Sequence, residues 1–373
     1  MTDSPNIAAA NDLLPAMVDA LEALICVESP SENVAACRAV VQEAVGIFES
    51  WVPEPARLEE HGGRPVWRWG PDQPRVLLLG HLDTVWPMGT IERLPFTNDG
   101  ERITGPGCFD MKAGVVQGWA ALAMLGLTEA DGVGMLLTTD EEIGSHSSRD
   151  LLAEASALAE AVLVLEPSVE GALKTSRKGT SWYRLAFTGR AAHAGLDPEK
   201  GINALHAAAQ LSLDSRDWAD AEAGTTVTPT LMSAGTTANT VPAAAALTVD
   251  VRAWTAAEQQ RVDDAFRGWR PGNGASLQID GGIDRPALEP ESSEGLFVRA
   301  QEAAAGLGLP DLEGRAVGGA SDGNITAAAG HPTLDGLGAV GDGAHAEHEW
   351  VSVPAMAARA ALLATLLRAL LAI

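Results

Sequence analysis

Three short apolar runs recur through the first half of the chain, at residues 76–79, 135–139 and 162–165. A strand that is covered on both faces buries every side chain, so such runs predict parallel strands at the centre of an α/β sheet. The intervening and preceding segments predict helices over 6–25, 34–50, 113–127 and 147–158. Strands and helices therefore alternate to about residue 170, as in an α/β domain.

The pattern changes near Ser176, where strands of alternating polarity replace the continuous apolar ones. Strands are predicted over 180–188, 225–233, 245–252 and 275–280, with helices over 201–213 and 256–269. The order β-α-β-β-α-β is that of a ferredoxin-like unit. A helix over 292–307 then resumes the first pattern. We therefore predict an α/β fold with a mostly parallel-sheet domain over 1–175 and 284–373, interrupted by a ferredoxin-like α+β domain over 176–283.

Length and charge narrow the class of protein. At 373 residues the chain is too long for one ordinary core, which supports two domains. A formal net charge of −25 argues against nucleic acid and anionic membranes as partners, because both attract basic surfaces. The C-terminal segment 355–373 is rich in Ala and Leu, but Arg359 and Arg368 interrupt it, so it predicts a packed helix.

The N-terminus and the cysteines bear on the compartment. Met1-Thr2-Asp3-Ser4-Pro5 has no basic region followed by an apolar stretch, so we expect no signal peptide. The three cysteines are widely spaced, which suits a reducing environment without a disulfide framework. Together these features predict a cytoplasmic location.

Residues that can bind metal ions follow each of the three apolar strands. Gly80-His81-Leu82-Asp83 follows the first, Asp140-Glu141-Glu142 the second and Glu166 the third. Because sites in open α/β sheets form beyond the carboxyl ends of the strands, these side chains are expected to converge. Glu166 in particular lies at the end of a buried strand, where a carboxylate needs a cation.

The spacing of His81 and Asp83 and the setting of Asp110 each allow two interpretations. His81 and Asp83 leave the strand on the same side, which suits a histidine ligand oriented by a carboxylate, or a structural histidine. Asp110 follows Gly105-Pro106-Gly107 in a tight loop. Its two oxygens could bridge two cations in a two-metal hydrolytic centre, or it could cap the helix that begins at 113.

Two pairs of nearby residues remain open on spacing alone. On extended backbone Glu141 and Glu142 point in opposite directions, so one could bind a metal while the other acts as general base. An exposed acidic pair is the alternative. His345 and His348 both lie in the segment 343–351, and spacing does not choose between them as ligands.

Together these segments resemble the zinc aminoacylase/carboxypeptidase family of co-catalytic dizinc metallopeptidases. That family includes glutamate carboxypeptidases (carboxypeptidase G), succinyl-diaminopimelate desuccinylases and acetylornithine deacetylases. The resemblance covers nearly the whole chain and rests on a set of motifs that is highly specific in combination. The motifs are Gly80-His81-Leu82-Asp83-Thr84-Val85, Gly105-Pro106-Gly107 with Asp110-Met111-Lys112, Thr139-Asp140-Glu141-Glu142-Ile143-Gly144-Ser145, Glu166-Pro167, Gly189-Arg190-Ala191-Ala192-His193-Ala194-Gly195 and the segment 343–351.

The resemblance implies two Zn²⁺ ions per chain and a role for each ligand-type residue. One ion would be held by His81 and Glu166, the other by Glu142 and His345, with Asp110 between them. Glu141 matches the general base, and Asp83 would orient His81. His345 is preferred to His348 because the family pattern His-x-x-x-Glu, followed by an aromatic residue and Val, ends here in Glu349-Trp350-Val351. A cis peptide between Asp110 and Met111 is also implied.

The inserted domain resembles the family's lid and dimerisation domain, which implies a homodimer. His193 matches a lid histidine that polarises the scissile carbonyl, in some members from the partner subunit. Asn239 and Arg252 match lid positions that bind polar groups of the substrate, and Lys178 is a weaker candidate. An Arg fork can hold a carboxylate in two bonds, although a surface cation is the alternative for Arg252.

The glycine-rich loop 318–324 could bind a substrate carboxylate through backbone N–H groups, which makes Gly319 and Ser321 candidates. A plain turn is the alternative. The loop departs from the glutamate carboxypeptidase pattern, whereas Gly144-Ser145 followed by Ser148-Arg149-Asp150-Leu151 favours that branch.

The expected activity is hydrolysis of an amide bond in a peptide or N-acyl amino acid, with release of a C-terminal amino acid, glutamate first. The same chemistry in an aminoacylase or acetylornithine deacetylase is the alternative. A catalytically silent binder of amino-acid conjugates is a remote one, because every expected ligand and the general base are present.

Overall fold

A computed structural model describes residues 5–372. The chain divides into two compact units. Unit 1 comprises Met1–Ser176, Pro290–Val317 and Ser321–Ile373, and unit 2 comprises Arg177–Glu289 with Gly318–Ala320. It stays a prediction that unit 1 is the catalytic domain and unit 2 the lid and dimerisation domain.

Helices and strands alternate through unit 1 and give way to a strand-rich segment in unit 2. The helices are α1 (Ile7–Cys26), α2 (Val34–Phe48), α3 (Thr90–Arg93), α4 (Ala113–Leu125), α5 (Arg149–Ser156), α6 (Ala204–Asp214), α7 (Ala256–Gly268), α8 (Glu294–Gly306), α9 (Asp322–Ala328) and α10 (Val353–Leu371). The strands are β1 (Arg57–His61), β2 (Arg64–Trp69), β3 (Val76–His81), β4 (Thr97–Asn98), β5 (Arg102–Thr104), β6 (Val133–Thr138), β7 (Ala161–Val164), β8 (Leu173–Arg177), β9 (Gly179–Thr188), β10 (Thr226–Ala234), β11 (Ala244–Ala253), β12 (Ser276–Arg285), β13 (Gly314–Val317), β14 (Thr333–Leu334), β15 (Gly341–Asp342) and β16 (Trp350–Ser352).

The main sheet of unit 1 has the strand order β1-β2-β6-β3-β7-β14. β3 pairs in parallel with both β6 and β7, and β14 pairs in parallel with β7. β2 and β1 extend the sheet in antiparallel fashion. The three apolar runs therefore form neighbouring central strands, which confirms the prediction of a mostly parallel α/β sheet.

Both faces of this sheet are covered, as continuous apolar strands require. All six residues of β3 and of β6 are buried. Helix α4 is buried along most of its length and approaches the end of β7 closely. A Cβ at Gly114 would lie 2.1 Å from the carbonyl oxygen of Leu165, so only glycine permits this approach. The approach fixes the loop before α4 beside the carboxyl ends of the central strands.

Helix α10 is long and apolar enough by composition to cross a membrane, and 61% of its most apolar stretch is buried inside the fold. Arg359 lies on this helix, and its buried guanidinium donates to the carbonyl oxygens of Gly171, Gly336 and Gly338. The segment is therefore a packed core helix, as the interrupting arginines predicted.

Unit 2 contains a four-stranded sheet in the order β10-β11-β9-β12, and its paired strands are all antiparallel. Helices α6 and α7 pack on one face, where the rings of Tyr183 and Phe266 stack at 4.0 Å. This is the ferredoxin-like arrangement predicted from the element order. Strand β12 is longer than predicted, because it continues through Gly281 and Gly282 to Arg285.

Candidate metal centre

The carboxyl ends of the three central strands meet at one place in unit 1. His81 is the last residue of β3, which lies between β6 and β7 in the sheet. The chain leaving β6 forms a 3₁₀ turn, Glu141–Ile143, and Glu166 follows shortly after β7. The site therefore forms where the strand order predicts it.

Asp110 lies between two histidines and presents one oxygen to each. Its Oδ1 is 3.4 Å from Nε2 of His81, and its Oδ2 is 3.4 Å from Nε2 of His345. A second carboxylate accompanies each histidine. Glu166 Oε1 lies 3.6 Å from His81 Nε2, and Glu142 Oε2 lies 3.1 Å from His345 Nε2. The arrangement has two lobes that share Asp110.

The carboxylates of Glu141 and Glu142 enter different groups of ligand-type atoms. Atoms of His81, Glu141 and Glu166 lie within 4.8 Å of one another, and so do atoms of His81, Asp110 and Glu142. The premise that the two glutamates sit on extended backbone was wrong, because both belong to the 3₁₀ turn. Their different destinations arise from that turn, which Asp140 closes by accepting from Ser145 N.

Three buried atoms of this cluster have no hydrogen-bond partner among the described residues: His81 Nε2, Asp110 Oδ1 and Glu142 Oε1. Four carboxylates converge there, and burying them without cations is costly. Imidazole nitrogen and carboxylate oxygen are ligands that Zn²⁺ and related divalent ions accept. The residues present therefore fit a pair of divalent metal ions.

Asp83 connects the turn before α2 with the 3₁₀ turn that carries Glu142. Its Oδ2 accepts from Ser31 Oγ at 2.7 Å and from Glu142 N at 3.2 Å. The predicted contact with His81 differs in detail, because the ring Nδ1 lies 3.0 Å from the main-chain oxygen of Asp83 and 3.5 Å from its carboxylate. An Nδ1–H donated to that carbonyl leaves Nε2 with a free lone pair facing Asp110 and Glu166.

Glu349 fixes the loop that carries Asp110. Its Oε1 accepts from the backbone N–H groups of Phe109 (2.8 Å) and Asp110 (3.0 Å). Its Oε2 accepts from Gly107 N (2.9 Å) and from the indole Nε1 of Trp86 (3.0 Å). The Asp110–Met111 peptide is cis, as the family resemblance implied. One buried carboxylate thus sets the position of the shared aspartate.

His345 and His348 are both exposed, but His345 reaches the centre from a strained turn and places its Nε2 3.1 Å from Glu142 Oε2 and 3.4 Å from Asp110 Oδ2. His345 has φ of 62°, in the left-handed region that costs a non-glycine residue free energy. The turn is closed by bonds from Ala346 N to Gly343 O and from Glu349 N to Ala346 O. Glu349 therefore connects the turn of His345 with the loop that carries Asp110.

The surrounding carboxylates draw protons onto the histidines of the metal-free chain. Asp110 and then Glu142 raise the pKa of His345 to about 10. Burial lowers the pKa of His81, but Asp110 and two other carboxylates outweigh it and raise the pKa well above its usual value. Burial raises the pKa of Glu142 to about 7, although His345 opposes the shift. Protons and metal ions therefore compete for the same atoms.

Sequence reasoning missed Lys174, which lies on the short strand β8. Its buried Nζ is 3.5 Å from Glu166 Oε2, where it offsets part of the negative charge. A single lysine in a short strand of mostly polar residues gives no signal of such a role. The role of Ser31 was also missed, because only the fold brings it to Asp83.

Two of the predicted lid residues adjoin in unit 2. His193 pairs with Thr240 in an isolated bridge, and Ala194 N donates to the carbonyl oxygen of Asn239 at 2.9 Å. The Nδ1 atom of His193 accepts from Gly195 N and Leu196 N, both at 3.1 Å. These bonds require Nδ1 to be unprotonated, so the neutral ring carries its proton on Nε2.

The other substrate-binding candidates have intramolecular partners. Arg252 forms an ion pair with Asp250 at 2.9 Å, and Lys178 lies over the ring of Trp254 at 5.1 Å. The carbonyl oxygen of Gly319 accepts from Arg177.

Ser321 was a candidate through its backbone N–H, which donates to Asn324 Oδ1 at 2.9 Å, and its role in substrate binding stays a prediction. Ser321 is fully buried, caps α9, and donates its hydroxyl to Asp335 at 2.6 Å. That hydroxyl therefore stabilises the helix start and is not available to a substrate.

Comparison with known proteins agrees with this geometry. The sequence profile of peptidase family M20/M25/M40 matches residues 77–369. Carboxypeptidase G2 of Pseudomonas sp. (strain RS-16) is 30% identical over an alignment of 392 positions, which covers 98% of this chain and 92% of the relative.

Two solved structures share the fold. Aminopeptidase PepT of Bacillus cereus has a TM-score of 0.74 and 20% identity, with 96% of this chain and 98% of the other covered. The YXEP protein of Bacillus subtilis, described as a dinuclear metal binding peptidase from the M20 family, has a TM-score of 0.65 and 17% identity, with 98% and 99% covered. The chain belongs to peptidase family M20/M25/M40, and it is a hydrolase of the metallopeptidase class.

Proposed function

We propose that this protein is a dizinc amidohydrolase that releases a C-terminal amino acid, glutamate first, from a peptide or N-acyl amino acid. The observation that carries the proposal is the position of Asp110, with one carboxylate oxygen facing each of two histidines. The identity to carboxypeptidase G2 supports the carboxypeptidase reaction.

His81 and Glu166 would hold one ion, Glu142 and His345 the other, and Asp110 both. Two divalent ions bound there supply the positive charge that polarises a scissile carbonyl and acidifies an attacking water. The unpartnered atoms of His81, Asp110 and Glu142 support this ligand set. Asp83 and Glu349 keep the ligands in place through the hydrogen bonds described above.

Glu141 is the proposed general base. It would take a proton from the attacking water and deliver it to the leaving amine, as an acid–base group positioned at the reacting atoms does. Because an oxygen of Glu141 lies within 4.8 Å of ligand-type atoms of His81 and Glu166, a role as a fourth ligand of that lobe, beside His81, Glu166 and Asp110, is the rival assignment. Glu141→Gln distinguishes the two assignments, since the variant should lose metal only if Glu141 is a ligand.

His193 is proposed to donate a hydrogen bond to the carbonyl oxygen of the scissile amide. Its two backbone donors leave Nε2–H as the free donor of the neutral ring, which is the form such a role requires. Arg252, Asn239, Lys178 and the backbone of Gly319 remain the proposed contacts for the substrate's polar groups. A protein that is monomeric at all concentrations would exclude a contribution of His193 from a partner subunit.

We also propose a homodimer formed through unit 2, with the protein in the cytoplasm. β10 is an edge strand of the sheet and exposes Leu231 and Met232 at 70% and 44%. Unpaired edge strands with apolar side chains favour association. Light scattering of the full chain should give twice the 38.7 kDa of a monomer, and a monomer at all concentrations would contradict this part.

The substrate class is tested with metal-loaded protein and a panel of N-acyl amino acids and dipeptides. We expect release of the C-terminal amino acid, fastest from N-acyl glutamates, and loss of release after chelation. Faster release from N-acetyl derivatives of other amino acids would favour the deacylase alternative. Absence of any release at saturating zinc would contradict the proposal.

A further inference from the structure

A cleft of 780 Å³ opens directly beside the candidate metal centre in unit 1. Its walls are the turn before α2, the loop after β3 and the 3₁₀ turn that carries Glu142. Glu142 therefore lines the cleft and also belongs to the ligand group. A molecule whose scissile bond lies at the centre can extend one of its ends into this cleft.

Apolar side chains are concentrated on the cleft. Val85, Met88 and Ile143 line it and are 41%, 55% and 38% exposed. They are three of the five exposed large apolar side chains of unit 1 among the described residues. Apolar groups gathered at one concave surface are typical of a ligand site.

The cleft is unsuited to an anion. None of the described residues that line it is Lys, Arg or His, and its acidic residues are Glu32 and Glu142. In the proposed reaction Glu142 is neutralised as a metal ligand, so Glu32 is the remaining fixed charge. A carboxylate in the cleft would be repelled by Glu32, which disfavours the end of the substrate that carries the free α-carboxylate.

The walls are held in place, so the cleft is preformed. Ser31 N donates to Thr84 O at 3.2 Å, which joins the two main walls. Glu28 accepts from Gly89 N at 2.8 Å and Ile91 N at 2.9 Å, which fixes the segment that carries Met88.

We propose that this cleft is the acyl subsite. It favours neutral apolar acyl groups, aromatic ones included, through contacts with Met88 and Val85, and it disfavours acidic acyl groups through repulsion by Glu32. The inference rests on the proposed function. The volume of the cleft lies within the range of small-molecule pockets and exceeds what an acetyl group fills. The leaving amino acid then lies on the other side of the scissile bond.

The test compares kcat/KM for the N-benzoyl, N-acetyl and N-succinyl derivatives of glutamate. The same three acyl derivatives of leucine form a second series. The wild-type order should be benzoyl, then acetyl, then succinyl. Met88→Ala should reduce the benzoyl value on the order of tenfold, at the low end for lost apolar contact because Met88 is half exposed, and leave the acetyl value unchanged. Val298→Ala, which trims an exposed apolar side chain on α8, should change neither value.

Glu32→Lys should raise the ratio of succinyl to benzoyl kcat/KM by roughly tenfold, because repulsion becomes attraction. The control Glu302→Lys makes the same charge change on α8 and should leave the ratio unchanged. Equal effects of Met88→Ala on all acyl groups, or an unchanged ratio in Glu32→Lys, would overturn the acyl assignment while hydrolysis itself persists. No hydrolysis of any derivative by zinc-loaded protein would overturn the proposed function and the subsite with it.

Discussion

Replacing Glu349 tests whether one buried carboxylate sets the position of the shared aspartate. Glu349 is 3% exposed and accepts four hydrogen bonds, from three backbone N–H groups of the Asp110 loop and from Trp86. The bonds from Gly107 and Phe109 are buried. Glu349→Ala leaves both of these donors without a partner.

The expected loss follows from the cost of unpaired buried donors. At about 1–3 kcal/mol for each, two donors give roughly 2–6 kcal/mol. Burial raises the pKa of Glu349, so removing its charge recovers part of that loss. We therefore expect about 2–4 kcal/mol of local destabilisation in Glu349→Ala. Glu349→Gln keeps one oxygen and should lose about half as much.

Hydrogen exchange of the peptide over 105–112, read by mass spectrometry in metal-free protein, measures this loss directly. About 2–4 kcal/mol corresponds to an acceleration of roughly 30- to 1,000-fold in exchange from the locally opened state. Glu347→Ala is the matched control, because that neighbouring carboxylate is exposed and pairs with Arg93 at the surface. Its change should stay within about 0.5 kcal/mol.

The result that would refute this reasoning is exchange in Glu349→Ala equal to that in Glu347→Ala. In that case the four donors are satisfied in another way, and Glu349 does not fix the loop. A protected loop with normal metal content in Glu349→Ala would also remove Glu349 from the support of Asp110.

Three further predictions concern the centre and the thiols. Glu141→Gln should retain both metals and lose turnover by roughly 10²–10⁴-fold, whereas Glu142→Gln should lose one metal and recover partly in excess zinc; metal loss in the first variant would reverse the roles. Because the pKa of His345 is raised to about 10 from 6.5, its contribution to the stability of the metal-free chain should fall as pH rises through that window. Chelated protein should therefore lose stability from pH 7 to 10 more steeply than His345→Ala, and equal slopes would count against the assignment. The thiol of Cys26 is exposed, whereas Cys37 and Cys108 are buried. Burial raises the pKa of Cys37 to about 12 and that of Cys108 well above its usual value. An aromatic disulfide reagent at pH 8 should modify one thiol per folded chain, and none in Cys26→Ser.

Much of the fold was predictable because the relevant signals are local. The apolar runs identified β3, β6 and β7, since a strand covered on both faces must be apolar throughout. The extent of β12 was not predictable in the same way. Gly281 and Gly282 are typical of a turn, yet here they continue a strand, and a Cβ at Gly281 would lie 2.1 Å from the carbonyl oxygen of Trp182.

The ligand set could be proposed from sequence because the residue types and the strand ends coincide. The supporting contacts could not, since they join segments that are far apart in sequence. Glu349 meets the loop of Asp110 across 239 positions, and Ser31 meets Asp83 across 52. The turn at Glu141–Ile143 was missed for a different reason, because the side chain of Asp140 stabilises it through local bonds from Ser147 and Ser148 that the residue types alone do not indicate.

The central claim is that Asp110 is shared by two metal ions, and metal titration tests it most directly. Chelator-stripped, dialysed protein is titrated with Zn²⁺ against a competing indicator while hydrolysis of an N-acyl glutamate is followed. We predict two equivalents per chain, with full activity only when both are bound, and fewer than two equivalents in Asp110→Asn. Full activity with one equivalent or none would contradict the account.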